Sequence, residues 1–482
     1  MPGTTVCWHT VNSRTDSHWI DVKKPDGCFG RKPLQAVIDR LPRARKYWVG
    51  FSGGADSTAL LLALHRTRDQ LAAPIHAIHF HHGLNREADS WLDFCRDFCR
   101  SRDISFSSRN LKIRPPGGTS TEQESRNCRY QAVADLLGRD EIYLTAHHAD
   151  DQAETLFLNL MRGSGLEGLA GIPELRNLGS GQVARPLLQW RRAELEAYLL
   201  GHGVTWMEDP SNLDQSFDRN FLRNNLFPTL ENRWPGVVKR LTRSARIARL
   251  TSEALAEFVN SHSSDLLADN HKMPLAPLLK LEQPMQALVF RQWLRRREVP
   301  ALPEVRIHEF LDQLAGASES SRAEVKWSQW QLKLYHQFIW LQDLSSLRNC
   351  ARQLWTNGMK LELDGCPGKL QLHGDPVGIP PGWQVDSRRS GGKIRLRESA
   401  SRQTLKELFR QSGIPPWMRL SIPVLYWGEE AVAIGDWIIA DRLKSWLDSN
   451  GLEYRWHPED SLLCELQSAC HGLTVDQSKL LG

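Results

Sequence analysis

The sequence predicts an α/β protein: a doubly wound parallel-sheet domain, then a small helical middle domain and an α+β C-terminal domain. Three observations predict it. Strand-like and helix-like segments alternate from residue 46 to about residue 160, which is the pattern of βαβ crossovers. A glycine-rich stretch, Ser52 to Ser57, separates the first of those strands from the first helix. Past Trp234-Pro235 the alternation gives way to one long amphipathic pattern and then to short apolar runs. At 482 residues the chain is also too long for a single core.

The elements follow in order. Residues 47–51 read as a buried strand, 57–68 as a helix, and 75–80 as a second strand. Residues 87–102 form a helix with Trp91, Phe94, Cys95 and Phe98 on one face. Strand 104–111, a Pro-Pro-Gly-Gly turn at 115–118, helix 121–137, strand 141–145 and helix 150–161 complete the alternation. In such a sheet, ligands sit at the carboxyl ends of the strands. Residues 236–258 read as an amphipathic helix with Leu241, Ala245, Ala248 and Leu255 near one face. Residues 274–342 look helical and end in strands, and the Pro/Gly-rich stretch 366–382 reads as a linker. The expected domains are an N-terminal extension (1–44), a nucleotide-binding domain (45–235), a middle domain (236–345), a linker (346–384), a C-terminal domain (385–460) and a tail (461–482).

Composition narrows the class. The chain is 41% hydrophobic and 24% charged, with a net charge of +5. The distribution says more than the sum: nine Lys or Arg against two Glu between Arg388 and Arg419, and five basic residues with no acid between Lys239 and Arg249. Clustered positive charge suits a phosphate backbone, although it also occurs as a plain solvated face. No run approaches the 18 or so apolar residues of a membrane span, and the N-terminus does not read as a signal peptide. Nine scattered cysteines, none in C-x-x-C, fit a reducing cytoplasm, with Cys95 and Cys99 in a core. Monomer and homodimer both stay open.

The segment Ser52-Gly53-Gly54-Ala55-Asp56-Ser57 carries the chemistry. Two glycines let the backbone turn tightly and present N–H groups to phosphate oxygens. The serines add hydroxyls, and the helix start adds its positive dipole end. Asp56 would repel phosphate, so it points to a Mg²⁺ ion or an orienting role between carboxylate and nucleotide. A Walker A loop would continue to a lysine, and none follows here. The S-G-G-x-D-S form resembles the PP-loop of the N-type ATP pyrophosphatases, which split ATP between the α- and β-phosphates.

Three companion segments narrow the reading. The second strand ends in His79-Phe80-His81-His82-Gly83-Leu84, where adenine or ribose would lie, or where a polar rim would serve equally. Thr145 to Thr155 (TAHHADDQAET) runs from a strand end into a helix. There His147 and Asp151 share a face, as do Asp150 and Glu154, which suits metal binding or proton transfer as well as simple dipole complementation. The third segment joins Glu208-Asp209-Pro210-Ser211-Asn212 to Asp218-Arg219-Asn220-Phe221-Leu222-Arg223, with Arg219 and Arg223 one turn apart. Such fixed cations suit a developing phosphate charge.

Together, SGGADS, HHGL, ESRNCRY (124–130), TAHHADDQAET, RGSGLEGLAGI (162–172), RPLL (185–188) and EDPSNLDQSFDRNFLR resemble the tRNA(Ile)-lysidine synthetase family. Residues 405–440 look like that family's C-terminal tRNA-binding domain, so the resemblance spans roughly residues 45–445. It implies ATP-driven adenylation of the first anticodon cytidine of tRNA(Ile) with a CAU anticodon, followed by attack of free L-lysine. By the same resemblance Ser52, Gly53, Gly54, Ala55, Asp56, Ser57 and His79 bind ATP, and Asp56 and Asp151 hold Mg²⁺. His147 and Asp151 support the adenylation centre, and Arg219 and Arg223 meet phosphate charge. Asp150 and Glu154 are candidates for the lysine ammonium, and Arg126 and Arg129 face ATP, RNA or solvent. Lys393, Arg395, Arg397, Arg402 and Lys406 are candidates for tRNA backbone contacts. The rivals are a tRNA thiolase, which generally uses paired cysteines, a glutamine-dependent synthetase, and a non-catalytic RNA-binding protein.

Overall fold

The structure, a computed structural model, describes residues 28–81, 88–111, 121–208, 214–316, 323–345, 349–365, 368–387, 392–397 and 401–473. His82-Gly83-Leu84, the Pro115–Gly118 turn and Asp209–Asn212 lie outside the described residues. The chain forms two compact units, Met1–Leu255 and Ala256–Gly482.

The first unit begins with α1 (Arg31–Ile38), β1 (Lys46–Gly50), α2 (Ala55–Arg66), β2 (Ile75–His81), α3 (Ala88–Arg100), β3 (Ser105–Asn110) and α4 (Thr121–Ala134). It continues through β4 (Glu141–Leu144), α5 (Ala149–Met161), α6 (Leu166–Leu169), β5 (Leu175–Leu178), β6 (Gly181–Ala184) and α7 (Arg192–Gly201). It ends with α8 (Asp218–Phe221), α9 (Phe227–Arg233) and most of α10 (Val237–His262). The strand order is β3-β2-β1-β4-β6-β5, parallel except for the β5–β6 hairpin. That hairpin is an addition to the expected alternation; its short strands, LRNL and GQVA, lack the apolar run of a buried strand.

The pleat explains the core. Tyr47 and Val49 of β1 and Ile142 and Leu144 of β4 pack with α1, α2, α3 and α7 on one face. Trp48 and Tyr143 point to the other face, where Val133 of α4 covers them. Cys95 and Cys99 are fully buried in the first layer, as expected from their spacing. The chain leaves β1 toward β2 on one side and later returns to β4 on the other, so the switch point falls between β1 and β4. The loop after β1 and the start of α5 therefore meet there.

Four domain expectations differ from the structure, the last of them in the tail. Phe29, Leu34 and Ile38 belong to the core of the first unit, so residues 28–44 are part of it rather than an extension. Division between units falls inside α10, beyond the expected position at 235, because one unbroken helix spans it. The expected linker folds.

The second unit starts with α11 (Ser264–Leu267), β7 (Lys272–Pro274), α12 (Leu275–Leu279), α13 (Gln283–Arg295) and α14 (Glu304–Ala315). These surround a sheet of order β7-β10-β9-β8, with β8 (Glu324–Trp327), β9 (Trp330–Tyr335) and β10 (Phe338–Asp343). Then come β11 (Gln353–Leu354), β12 (Lys360–Glu362), β13 (Gly368–His373) and β14 (Trp383–Val385). Leu370 and Trp383 are core residues here; the glycines and prolines read as a linker serve the turns between these short strands. The remaining elements are β15 (Lys393–Ile394), β16 (Gln403–Thr404), α15 (Leu405–Gln411), β17 (Val424–Trp427), β18 (Glu430–Ile434), β19 (Ile438–Ile439), α16 (Asp441–Ser449), β20 (Glu453–Pro458) and α17 (Ser461–Leu473). Leu462, Leu463 and Leu466 seat α17 in the same core, so the described part of the expected tail is structural.

Gly50, at the carboxyl end of β1, has no room for a side chain. A Cβ there would collide with the hydroxyl and ring of buried Tyr143. Gly50→Ala is therefore expected to cost about 1–3 kcal/mol by overpacking. At about 2–4 °C per kcal/mol for a unit this size, a melting curve unchanged by the substitution would contradict this packing.

Candidate active site

The loop after β1 is held from within and from beneath. Gly53 has φ +86°, a left-handed conformation that favours glycine, and a Cβ there would press on Phe94 and Cys95 at 3.3 and 3.2 Å. The hydroxyls of Ser52 and Ser57 lie 3.0 Å apart, and the Ser57 hydroxyl accepts the Ser52 N–H at 3.2 Å. Thr58, missed in the sequence reading, donates its hydroxyl to Gly54 O at 2.9 Å. Ala55 opens α2, and Ser52 is exposed while Ser57 is buried. Met207 N–H donates to Gly53 O at 2.9 Å, pinning residues 204–208 beside the loop.

His79 is buried, with its Nδ1 2.9 Å from Phe51 O and 3.5 Å from the Cys95 thiol. It braces the loop from below, and burial lowers its pKa. Cys95 lies close enough to raise the question of sulfur chemistry. Burial pushes its thiol far above the ordinary range, and Cys99 up to about 12, the opposite of what a nucleophilic thiolate needs.

From the loop a line of alternating charge runs to the far side of the site. Asp56 Oδ2 lies 3.5 Å from His148 Nε2, which lies 3.5 Å from Asp151 Oδ2. Asp151 Oδ1 accepts from Arg223 at 3.1 Å, and Arg223 donates to both oxygens of Glu154 at 2.8 and 3.1 Å. Glu154 has no exposed side-chain surface. Arg223 reaches this position from a wide π-turn, Leu222–Leu226, inserted between α8 and α9. Burial works against the charge of Arg223, but Glu154 and Asp151 outweigh it and hold it protonated. Burial likewise works against Asp151, while His148, His147 and Arg223 hold its pKa low. Glu154 is pushed upward by burial and by Asp151 against the pull of Arg223.

His148, like Thr58, is a residue the sequence reading missed. It is the N-cap of α5: Nδ1 accepts the Asp150 N–H at 3.2 Å, while Asp151 accepts the His148 N–H at 3.0 Å. This cap places the proton on Nε2, facing Asp56 and Asp151. Burial opposes a second proton, but Asp151, Asp150 and Asp56 raise the pKa to about 10. That proton would sit on Nδ1, 3.4 Å from Asp150 Oδ2, and would displace the cap. The readable signal was the position: a histidine just before a helix-opening Ala-Asp-Asp.

His147 behaves oppositely. Its Nδ1 lies 2.8 Å from the Thr145 hydroxyl, and burial with Arg185, Arg126 and Arg129 nearby lowers its pKa to about 4, so it is neutral. The two lysine-pocket candidates are already engaged. Asp150 accepts from Arg191 Nε at 2.8 Å and Arg192 N at 2.9 Å, and Glu154 is clamped by Arg223. Arg219 is half-buried and forms no ion pair among the described residues.

The residues suit a phosphate-bound Mg²⁺ better than a protein-caged metal. Asp56 Oδ1 is buried with no hydrogen-bond partner, and the described residues contain no group of three or more metal-ligating side chains. Mg²⁺ commonly takes one or two carboxylates plus substrate phosphates.

In the second unit, Lys393, Arg395 and Arg397 are exposed and alternate with buried Ile394 and half-buried Leu396. Arg402 and Lys406 are exposed nearby in sequence, on β16's approach and on α15, and Arg402 lies 3.5 Å from Glu430. No helix among the described residues is long and apolar enough to cross a membrane.

Comparison with known proteins agrees with this layout. A PP-loop domain model matches residues 30–230, the TilS substrate binding domain residues 273–340, and the TilS substrate C-terminal domain residues 383–456. The tRNA(Ile)-lysidine synthase of Xanthomonas campestris pv. campestris (strain 8004) is 33% identical over 438 residues, covering 91% of this chain and 98% of the relative. That of Xylella fastidiosa (strain Temecula1) is 36% identical, covering 85% of this chain and 94% of the relative. That of Pseudomonas syringae pv. tomato (strain DC3000) is 35% identical, covering 82% and 89%.

A pH dependence follows from His148. Its folded pKa is raised from 6.5 to about 10, so its stabilising contribution is complete below pH 6.5 and is lost as pH rises toward 10. In nucleotide-free protein with chelator, the melting temperature of the wild type should fall more steeply between pH 7 and 10 than that of His148→Gln. Parallel curves would refute the charged-ring account.

Proposed function

The chain belongs to the tRNA(Ile)-lysidine synthase family, and from this membership and the site geometry we propose that it converts the first anticodon cytidine of tRNA(Ile) to lysidine. The substrates are ATP, tRNA(Ile) with a CAU anticodon, and free L-lysine. The observation that carries the reading is the line Asp56–His148–Asp151–Arg223 beside a phosphate-gripping loop.

In the first step the C2 oxygen of cytosine attacks the α-phosphate of ATP, and pyrophosphate leaves. Backbone N–H groups of the loop, the start of α2 and the Ser52 and Ser57 hydroxyls grip phosphate oxygens. Asp56, with Asp151 close by, would hold a phosphate-bound Mg²⁺, which would supply neutralising charge. Arg223, already fixed by two carboxylates, meets charge building at the α-phosphate, with Arg219 one turn away. Neutral His147 offers a polar contact at the same centre without adding charge. In the second step the lysine amine, having lost a proton, attacks C2 and AMP leaves with the former C2 oxygen. A pyrimidine carbonyl oxygen does not leave unless it is so activated. Asp150 or Glu154 could receive the lysine ammonium only by giving up contact with Arg191 or Arg223.

Exposed Lys393, Arg395, Arg397, Arg402 and Lys406 would contact RNA backbone, setting affinity more than sequence choice.

The test is AMP release by purified protein with unmodified tRNA(Ile), with and without lysine, and mass analysis of the anticodon nucleoside. A lysine-dependent adduct on cytidine is expected; AMP without an adduct would transfer the reading to another nucleophile. Arg223→Lys keeps a charge beside Glu154 but loses the two-pronged geometry. We expect it to lower kcat about 10²-fold while leaving ATP affinity nearly unchanged, as measured by single-turnover AMP formation and ATP titration.

A further inference from the structure

Beyond the loop, the carboxyl edge of the sheet carries a second concentration of charge. It lies past β4 and β6, two strand spacings from β1, or about 10 Å. Arg185 immediately follows β6, and Arg126, Arg129 and Tyr130 stand on α4. Arg176 comes from β5.

Tyr130 is the hub. The Arg176 guanidinium lies 4.6 Å from the centre of its ring and that of Arg126 lies 5.8 Å away, while Arg185 donates to its hydroxyl at 3.4 Å. Arg185 is only 4% exposed. One of its nitrogens donates to Pro173 O at 2.8 Å, but its buried Nε has no partner. Arg129 belongs to the same field through its effect on His147. None of these four arginines forms an ion pair among the described residues. Burial would raise the Tyr130 phenol, yet Arg185, Arg126 and Arg176 outweigh it and lower its pKa.

Like charges gathered around a half-buried ring, with no carboxylate paired to them among the described residues, are costly unless an anion completes the group. The forked N–H geometry of arginine matches phosphate oxygens. The site is separate from the loop that grips ATP, because β4 lies between them in the sheet.

We infer that Arg126, Arg176, Arg185 and Tyr130 form a second phosphate site flanking the reaction centre, and that it receives a backbone phosphate of the RNA beside the target nucleotide. This rests on the RNA-substrate reading above. Pyrophosphate released at the neighbouring centre carries the same chemistry, and the test separates the two sources.

The experiment uses the full-length protein with Arg176→Ala, Arg126→Ala and the double substitution. Four quantities are measured: tRNA affinity against salt, pyrophosphate affinity by calorimetry without RNA, ATP affinity, and melting temperature. We expect each single substitution to weaken tRNA binding about three- to tenfold and to lower the salt slope by about 1. ATP affinity should hold, and the free protein should melt no lower, since a repulsive group has been removed. Weaker pyrophosphate binding with unchanged tRNA affinity would keep the phosphate site but assign it to the leaving group. Unchanged affinity for both, or a lower melting temperature with no loss of binding, would overturn the site in favour of a structural cluster. If the wild type forms no lysine adduct while the variants still lose RNA binding, the reaction assignment falls and this site stands.

Discussion

Everything at the proposed reaction centre depends on keeping charges buried without leaving any of them alone. Asp56, His148, Asp151, Arg223 and Glu154 alternate in sign and come from three different stretches of chain. Each is tolerable only because its neighbours are present. The line also ties the loop after β1 to the start of α5 and the turn before α9. The fold supplies the meeting place by reversing strand order between β1 and β4. An arrangement fixed before substrate arrives needs little reorganisation during reaction, which is how enzyme electrostatics does most of its work.

The two histidines show how environment divides one residue type into two tools. His147 and His148 are adjacent, yet burial beside arginines keeps the first neutral, while three carboxylates favour a charge on the second. Their difference comes from which way each points at the mouth of α5. His148 faces the acids from the N-cap position of α5; His147 turns toward Thr145 and the arginine group beyond β4. A site proposed to handle both phosphate and an amine would benefit from holding anion-seeking and cation-seeking regions apart in this way.

Much of this was legible from residues alone. The alternating strands and helices, the turn from strand to helix at Ser52–Ser57, and the buried Cys95–Cys99 face all follow from local pattern, and the structure has them nearly where that pattern puts them. What local pattern could not carry was partnership. Spacing on α5 put Glu154 and Asp150 forward as open acids, whereas Arg223 and Arg191 close them from 69 and 41 residues away. The β5–β6 hairpin was too short and polar to register as strand. Residues 366–382 were read as linker because glycine and proline mark both linkers and tight turns, and only long-range pairing of β13 with β20 tells these apart.

The clamp between Glu154 and Arg223 has a consequence for how such a chain can change over generations. Losing the arginine strands a carboxylate that water cannot reach; losing the acid strands a cation against Asp151 alone. Either single step weakens folding before it touches catalysis. The two positions are therefore expected to change only together, and the arginine proposed to meet phosphate charge is held against drift by the needs of a buried carboxylate rather than by its chemistry alone.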